Sequence, residues 1–246
     1  MFKRMKALIW LRNQILMNNK NLLIQILLPY ILVLLYKNFM DATGMELMFV
    51  CLSMAISMSI GNMISTIIAE EKEKNTLKTL LLSGVRYSEY IFSVLIHPII
   101  ITAITMILFP ILTDTKLEGL LVEYTVVMFL TSLSVMLINM CIGLLSETQS
   151  KAQINGLPIT FIVALLPIFS GMKEGFEKIV GYSFMGAYTD FFTKSGFSLD
   201  DHSIKVLLLW NIVLGWLTIV SIKKSKSVGK NSKKVNLSSF QLFLVK

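Results

Sequence analysis

Six stretches of this chain are each apolar enough, and long enough or nearly so, to cross a lipid bilayer. A hydrocarbon core about 30 Å thick needs roughly 20 apolar residues in a helix. Blocks at 22–39, 45–69, 91–113, 121–145, 152–170 and 204–222 supply them. Inside lipid the backbone must satisfy its own hydrogen bonds, so each block is expected to be a helix. Hydrophobic residues make up 54% of the 246 and charged residues 15%, against the ~25% charge of soluble domains. The expected fold is an all-α membrane protein, with residues 22–222 forming a domain of six transmembrane helices. The first block is the weakest, because Gln25 and Pro29 interrupt it and Lys37 must snorkel. Pro158 and Pro167 predict a kink or a broken end in the fifth.

Charge sets the orientation. With the N-terminus, 70–90, 146–153 and the tail after 222 on one side, that side holds 17 of the 23 Lys and Arg residues. The other side holds ten of the fifteen acidic residues. The positive-inside rule then places both termini in the cytosol of a multi-pass cell-membrane protein. The net charge of +8 is a topology signal by this account, and nucleic acid is not an expected partner. Residues 1–21 alternate basic and apolar side chains, with Trp10 among them, as an interfacial helix on the inner leaflet would. No small-residue cleavage site follows, so the first block is expected to be retained rather than a signal peptide. The lysine-rich tail 223–246 is expected against anionic membrane lipid. Cys51 and Cys141 both lie in apolar blocks, which argues for packing over a disulfide.

Polar residues inside the spans are few. Ser53, Ser57, Gly61 and Ser65 repeat every fourth residue, a small-residue ridge suited to helix packing or to a dimer seam. Asn62 and Asn139 need partners within the membrane, either on another helix or along a substrate path. Fifteen methionines soften the spans, which helix packing and a varied apolar cargo would both use.

The connection 70–90 carries the most information. Its charged start, Glu70-Glu71-Lys72-Glu73-Lys74, leads into a stretch with Leu77, Leu80, Leu81 and Val85 on one helical face. A short cytosolic helix is expected there, and an exposed apolar face of this kind wants a protein partner.

This segment resembles the permeases of ABC-2 type transporters, whose second and third spans are joined by a pattern close to E-x-E-x-G-T-L-x-x-L-L-x-S-P-V. Glu71, Glu73, Thr76, Leu77, Leu80, Leu81, Ser83 and Val85 stand at the matching places. Asn75 replaces the usual glycine and Gly84 the usual proline, both acceptable in a turn. The resemblance implies that these eight residues form a coupling helix that docks on a separate ABC ATPase subunit. It also implies a second permease copy or a sister permease. Residues 1–21 would be the connecting helix. The external region 171–203 would form re-entrant helices, using Gly171, Gly175, Gly181 and Gly186 with Phe184, Tyr188, Phe191 and Phe192. It is similar to small bacterial exporters of toxin-like peptides, such as those of the phenol-soluble modulin type. The implied function is export of an amphipathic or lipophilic substrate, a peptide or toxin first, by a non-catalytic permease. ATP and Mg would then bind the partner ATPase, and no cofactor this chain. In keeping with that, no G-x-x-x-x-G-K-[ST] loop occurs in the sequence.

Two alternatives remain at this point. Glu70-Glu71 followed by His97 faintly resembles intramembrane metalloproteases of the CAAX-processing type. Asn75 stands at their arginine position, however, and Phe92 is one residue out of register with His97. With only two histidines, His97 and His202, on opposite predicted sides, neither a catalytic set nor a metal site is expected. The other alternative is a membrane protein conferring immunity to antimicrobial peptides.

Overall fold

The computed structural model describes the backbone of residues 2–170, 174–194 and 196–243, and the side chains of 4–170, 175–194 and 196–224. Gly171, named above, lies outside the described residues, as do the tail side chains beyond Lys224. The described residues form α-helices, one π-helical segment and no strand.

Helix α1 (Phe2–Asn18) precedes the spans. Asn19 separates it from α2 (Lys20–Met40), its side-chain oxygen accepting the Leu22 N–H at 3.3 Å as an N-cap. The second span runs unbroken over Gly44–Glu73. It comprises α3 (Gly44–Ala55), the π-helical Ile56–Gly61 and α4 (Asn62–Glu73). A short helix, α5 (Thr76–Leu82), leads to the third span α6 (Tyr87–Leu112) and the fourth, α7 (Leu121–Leu145). The fifth, α8 (Gln149–Ser170), continues as one helix through Pro158 and Pro167. Two short helices, α9 (Glu174–Gly181) and α10 (Gly186–Thr193), precede α11 (His202–Phe243), which carries the last span.

The protein is thus an all-α membrane protein with six helices long and apolar enough to span a bilayer. The second span is its centre: 72% of its apolar window is buried, against 17% for α2 and 28% for α6. Met48, Cys51, Leu52, Ile56, Ile60, Ile64 and Ile68 of that span form the middle of the core. The outer helices turn Leu27, Ile31, Ile107, Phe161 and Ile212 outward, as lipid contact allows.

The ridge Ser53–Ser65 is buried within the chain's own bundle. Ser53 Oγ donates to the Ala164 carbonyl of α8 at 3.3 Å as well as to Val50 of its own helix. A Cβ on Gly61 would lie 2.6 Å from Asn139 Nδ2 and 2.8 Å from Val135 Cγ1. A Cβ on Gly143 of α7 would lie 3.0 Å from the Ser65 backbone. Small residues on both sides let these backbones approach, and dispersion contacts then replace the missing side chains.

At one end of the bundle, Gly44 N–H donates to Thr113 C=O at 2.7 Å and Lys37 pairs with Asp114. The same end is closed by aromatic residues of α10 and of the turn that precedes it. Phe184, Tyr188 and Phe191 are buried, Tyr188 stacks on Phe49, and its hydroxyl donates to the Phe49 carbonyl. Gly186 is required there, since a Cβ would sit 2.5 Å from the Gly181 carbonyl oxygen. The opposite, basic end gathers α1, α5 and the α7–α8 junction.

Candidate coupling site

Of the five charged residues that close the second span, the first four are each bound to a different part of the basic end. Glu70 accepts from Asn19 Nδ2 at 3.3 Å, at the α1–α2 joint, and pairs with Lys74 at 2.6 Å. That hydrogen bond pushes the Lys74 ammonium above its ordinary pKa. Glu71 forms an ion pair with Arg12 of α1 and accepts the Tyr90 hydroxyl of α6 at 2.7 Å. Lys72 Nζ donates to the Leu144 and Ser146 carbonyls, capping the end of α7. Glu73 accepts the Gln149 N–H at 2.8 Å, capping the start of α8, where a carboxylate also suits the helix dipole. One turn of sequence thereby ties the second span to α1, α6, α7 and α8.

The pair at the centre is deeply buried, Arg12 being 1% exposed and Glu71 3%. Arg12 Nε reaches Ser93 Oγ at 3.4 Å, and its guanidinium lies 5.1 Å from the Tyr90 ring centroid. Desolvating two charges is costly unless hydrogen bonds accompany the pairing; Tyr90 and Ser93 supply two, while Arg12 Nη2 is buried without a partner. Glu71 therefore faces the interior of the bundle, while Glu73 is exposed.

Asn75 ends this cluster in the left-handed region, φ 57°, where glycine or asparagine is favoured. Gly84 turns the chain after α5 with φ 89°. Proline, held near −65°, could not adopt that turn, so glycine here is more than a conservative replacement for it. Arg4 of α1 donates to the Gly84 carbonyl at 2.9 Å, pinning the far end of the loop. Glu89 then accepts the Arg86 N–H at 2.9 Å and starts α6.

Between these anchors α5 turns its apolar face inward, contrary to the exposed face expected above. Leu77 is buried, and Leu80, Leu81 and Val85 pack partly buried against the main core. Thr76 is half-buried. The physical reason is the loop's length: anchored at Glu71 and Gly84, it lies flat on its own bundle and covers its leucines there. The outward face consists of Lys78, Thr79, Leu82 and Ser83, with Leu82 62% exposed.

The two asparagines meet elsewhere, deep among α4, α7 and α8. Asn62 Oδ1 accepts the Thr160 hydroxyl at 3.0 Å, and Asn139 Nδ2 donates to the Val135 carbonyl of its own helix. Asn139 Oδ1 is buried with no hydrogen-bond partner. His97 lies half-buried on α6 and His202 at the opposite end of the bundle. Among the described residues no three His, Cys, Asp or Glu side chains converge. With Glu71 already held by Arg12 and Tyr90, the metalloprotease alternative is not favoured.

Arg12, Lys72, Tyr90 and Ser93 were not singled out from sequence. For Arg12 a signal existed: it follows Leu8 by one helical turn, on the face of α1 that is buried.

Six spans around a buried second helix, with a short helix at one end, define a multi-pass membrane protein. The chain belongs to the family described as fluoroquinolones export permease protein Rv2686c-like, whose model matches residues 20–184. That match covers the first five spans, the whole charged cluster and α5. No curated protein and no solved structure matches the chain.

Proposed function

We propose that this chain is the permease subunit of an ATP-binding-cassette exporter of the ABC-2 type. In this reading it works in a bacterial cell membrane with both termini in the cytosol, beside a second copy or a sister permease. Two ATPase subunits bind ATP and Mg2+, and the permease itself does no chemistry. The observation that carries the reading is the anchoring of α5: a small helix that follows directly on the charged turn binding the second span to α1, α6, α7 and α8 transmits a push at its outer face to all of them. A loose loop would absorb that push.

The residues of the resembling motif then divide by task. Lys78, Thr79, Leu82 and Ser83 meet the ATPase. Glu71 and Glu73 act as positioning residues that stiffen the linkage, and Leu77, Leu80, Leu81 and Val85 seat α5 on the bundle. The spans offer no ring of fixed charges, which favours an amphipathic or lipophilic cargo over a small inorganic ion. Fluoroquinolones, named in the family's description, are amphipathic aromatic compounds. That description favours an aromatic small molecule over a peptide or toxin.

A pull-down of the tagged permease from gentle detergent, combined with fluoroquinolone accumulation in cells, tests this. A nucleotide-binding ATPase should co-purify, and deletion of the permease should raise accumulation. Absence of any ATPase under conditions that keep other transporters intact refutes the reading.

A further inference from the structure

At the end of the bundle opposite the charged cluster, α9, α10 and the start of α11 border an open cavity of about 550 Å3, with Glu177, Lys178 and Tyr182 exposed along it. That volume is within the range that small-molecule sites occupy, roughly 300–1,000 Å3. Its floor is polar and buried. Asp190, 7% exposed, is paired with Lys194 at 2.6 Å. Ser203 is 3% exposed, and its hydroxyl has no hydrogen-bond partner.

The walls supply charge of both signs and an aromatic surface. Asp201 accepts the Ser198 N–H at 3.3 Å and has no cation within ion-pair distance among the described residues. Lys178 lines the opposite rim. Tyr182 and His202 meet edge to face at 5.6 Å, and Trp210 Nε1 fixes the Tyr182 carbonyl at 2.9 Å. The aromatic pair is therefore backed by the last span.

We infer that this cavity binds a zwitterionic aromatic small molecule, its ammonium at Asp201, its carboxylate at Lys178 and its ring on Tyr182 and His202. The inference rests on the cargo class proposed above and assigns the cavity as the station from which cargo leaves. Both opposite charges of such a ligand find partners here, whereas the cleft beside Met106 and Phe129 offers only the carboxylate of Glu118 and the cleft beside Cys141 and Leu214 offers no charge.

The test is binding of a fluoroquinolone with a free piperazine nitrogen to the full chain in lipid nanodiscs, read by the compound's own fluorescence. Asp201→Asn keeps the bond to Ser198 and should weaken binding about tenfold, the loss of one charge-assisted contact. An N-acetylated analogue without the ammonium should bind the unaltered chain about tenfold more weakly and should not distinguish Asp201→Asn from it. If the unaltered chain binds but Asp201→Asn and Lys178→Gln bind equally well, the cavity is not the site, although the cargo class stands. If the unaltered chain binds neither compound, the site and the cargo class both fall.

Discussion

Arg12 of the first helix and Glu71 at the end of the second span form an ion pair that is almost wholly withdrawn from solvent. The two residues are 59 positions apart, and their contact decides where α1 lies against the bundle. Tyr90 and Ser93 on α6 complete the set, so the pair also sets the direction in which the third span departs.

Removing one partner alone leaves the other charge buried. Glu71→Gln or Arg12→Leu should each cost about 3–5 kcal/mol. The double replacement Arg12→Met with Glu71→Leu should recover most of that loss, because neither charge is then stranded. Unfolding of the purified variants in detergent measures this as a double-mutant cycle. Additive single losses would exclude the pairing.

Leu82→Glu should abolish association with an ATPase while leaving the fold within about 0.5 kcal/mol, since the side chain points outward. Leu77→Glu should instead destabilise the permease, because it places a charge in the core cluster. Co-purification and thermal stability, measured together on both variants, separate contact from folding. If Leu82→Glu still retains the ATPase, the outward face of α5 is not the docking surface.

Gly61→Ala should destabilise by about 1–3 kcal/mol, because its methyl group would collide with Asn139 and Val135 of α7. Gly215→Ala on α11 is the control: nothing lies within 4 Å of a Cβ there, and stability should hold. Equal behaviour of the two variants in detergent unfolding would mean the second span and α7 are not in close contact.

The orientation is checked by thiol labelling in intact cells. Lys78→Cys and Ser198→Cys are both exposed, at opposite ends of the bundle. A membrane-impermeant reagent should label position 198 from outside, and position 78 only after lysis. The reverse pattern would overturn the assignment of the basic end to the cytosol.

The six spans were legible because lipid allows a chain only one local solution, the hydrogen-bonded helix, and hydropathy reports it directly. The place of α5 was legible for a related reason, as a turn-bounded amphipathic stretch between Asn75 and Gly84. What an amphipathic period cannot state is which body covers the apolar face. Leu77, Leu80, Leu81 and Val85 read as a surface awaiting a partner, and the tertiary structure gives them their own bundle.

The charges show the same division. Composition and position along the chain identified Glu70 to Lys74 as a charged end to the second span, and nothing local distinguished Glu71 from Glu73. The fold separates them, burying Glu71 against Arg12 and Tyr90 and leaving Glu73 at the start of α8. The class of each element and its length follow from chain order, since backbone hydrogen bonding and transfer into lipid act on consecutive residues. The partners follow from the folded arrangement, because a buried charge is stabilised by atoms far away in the chain.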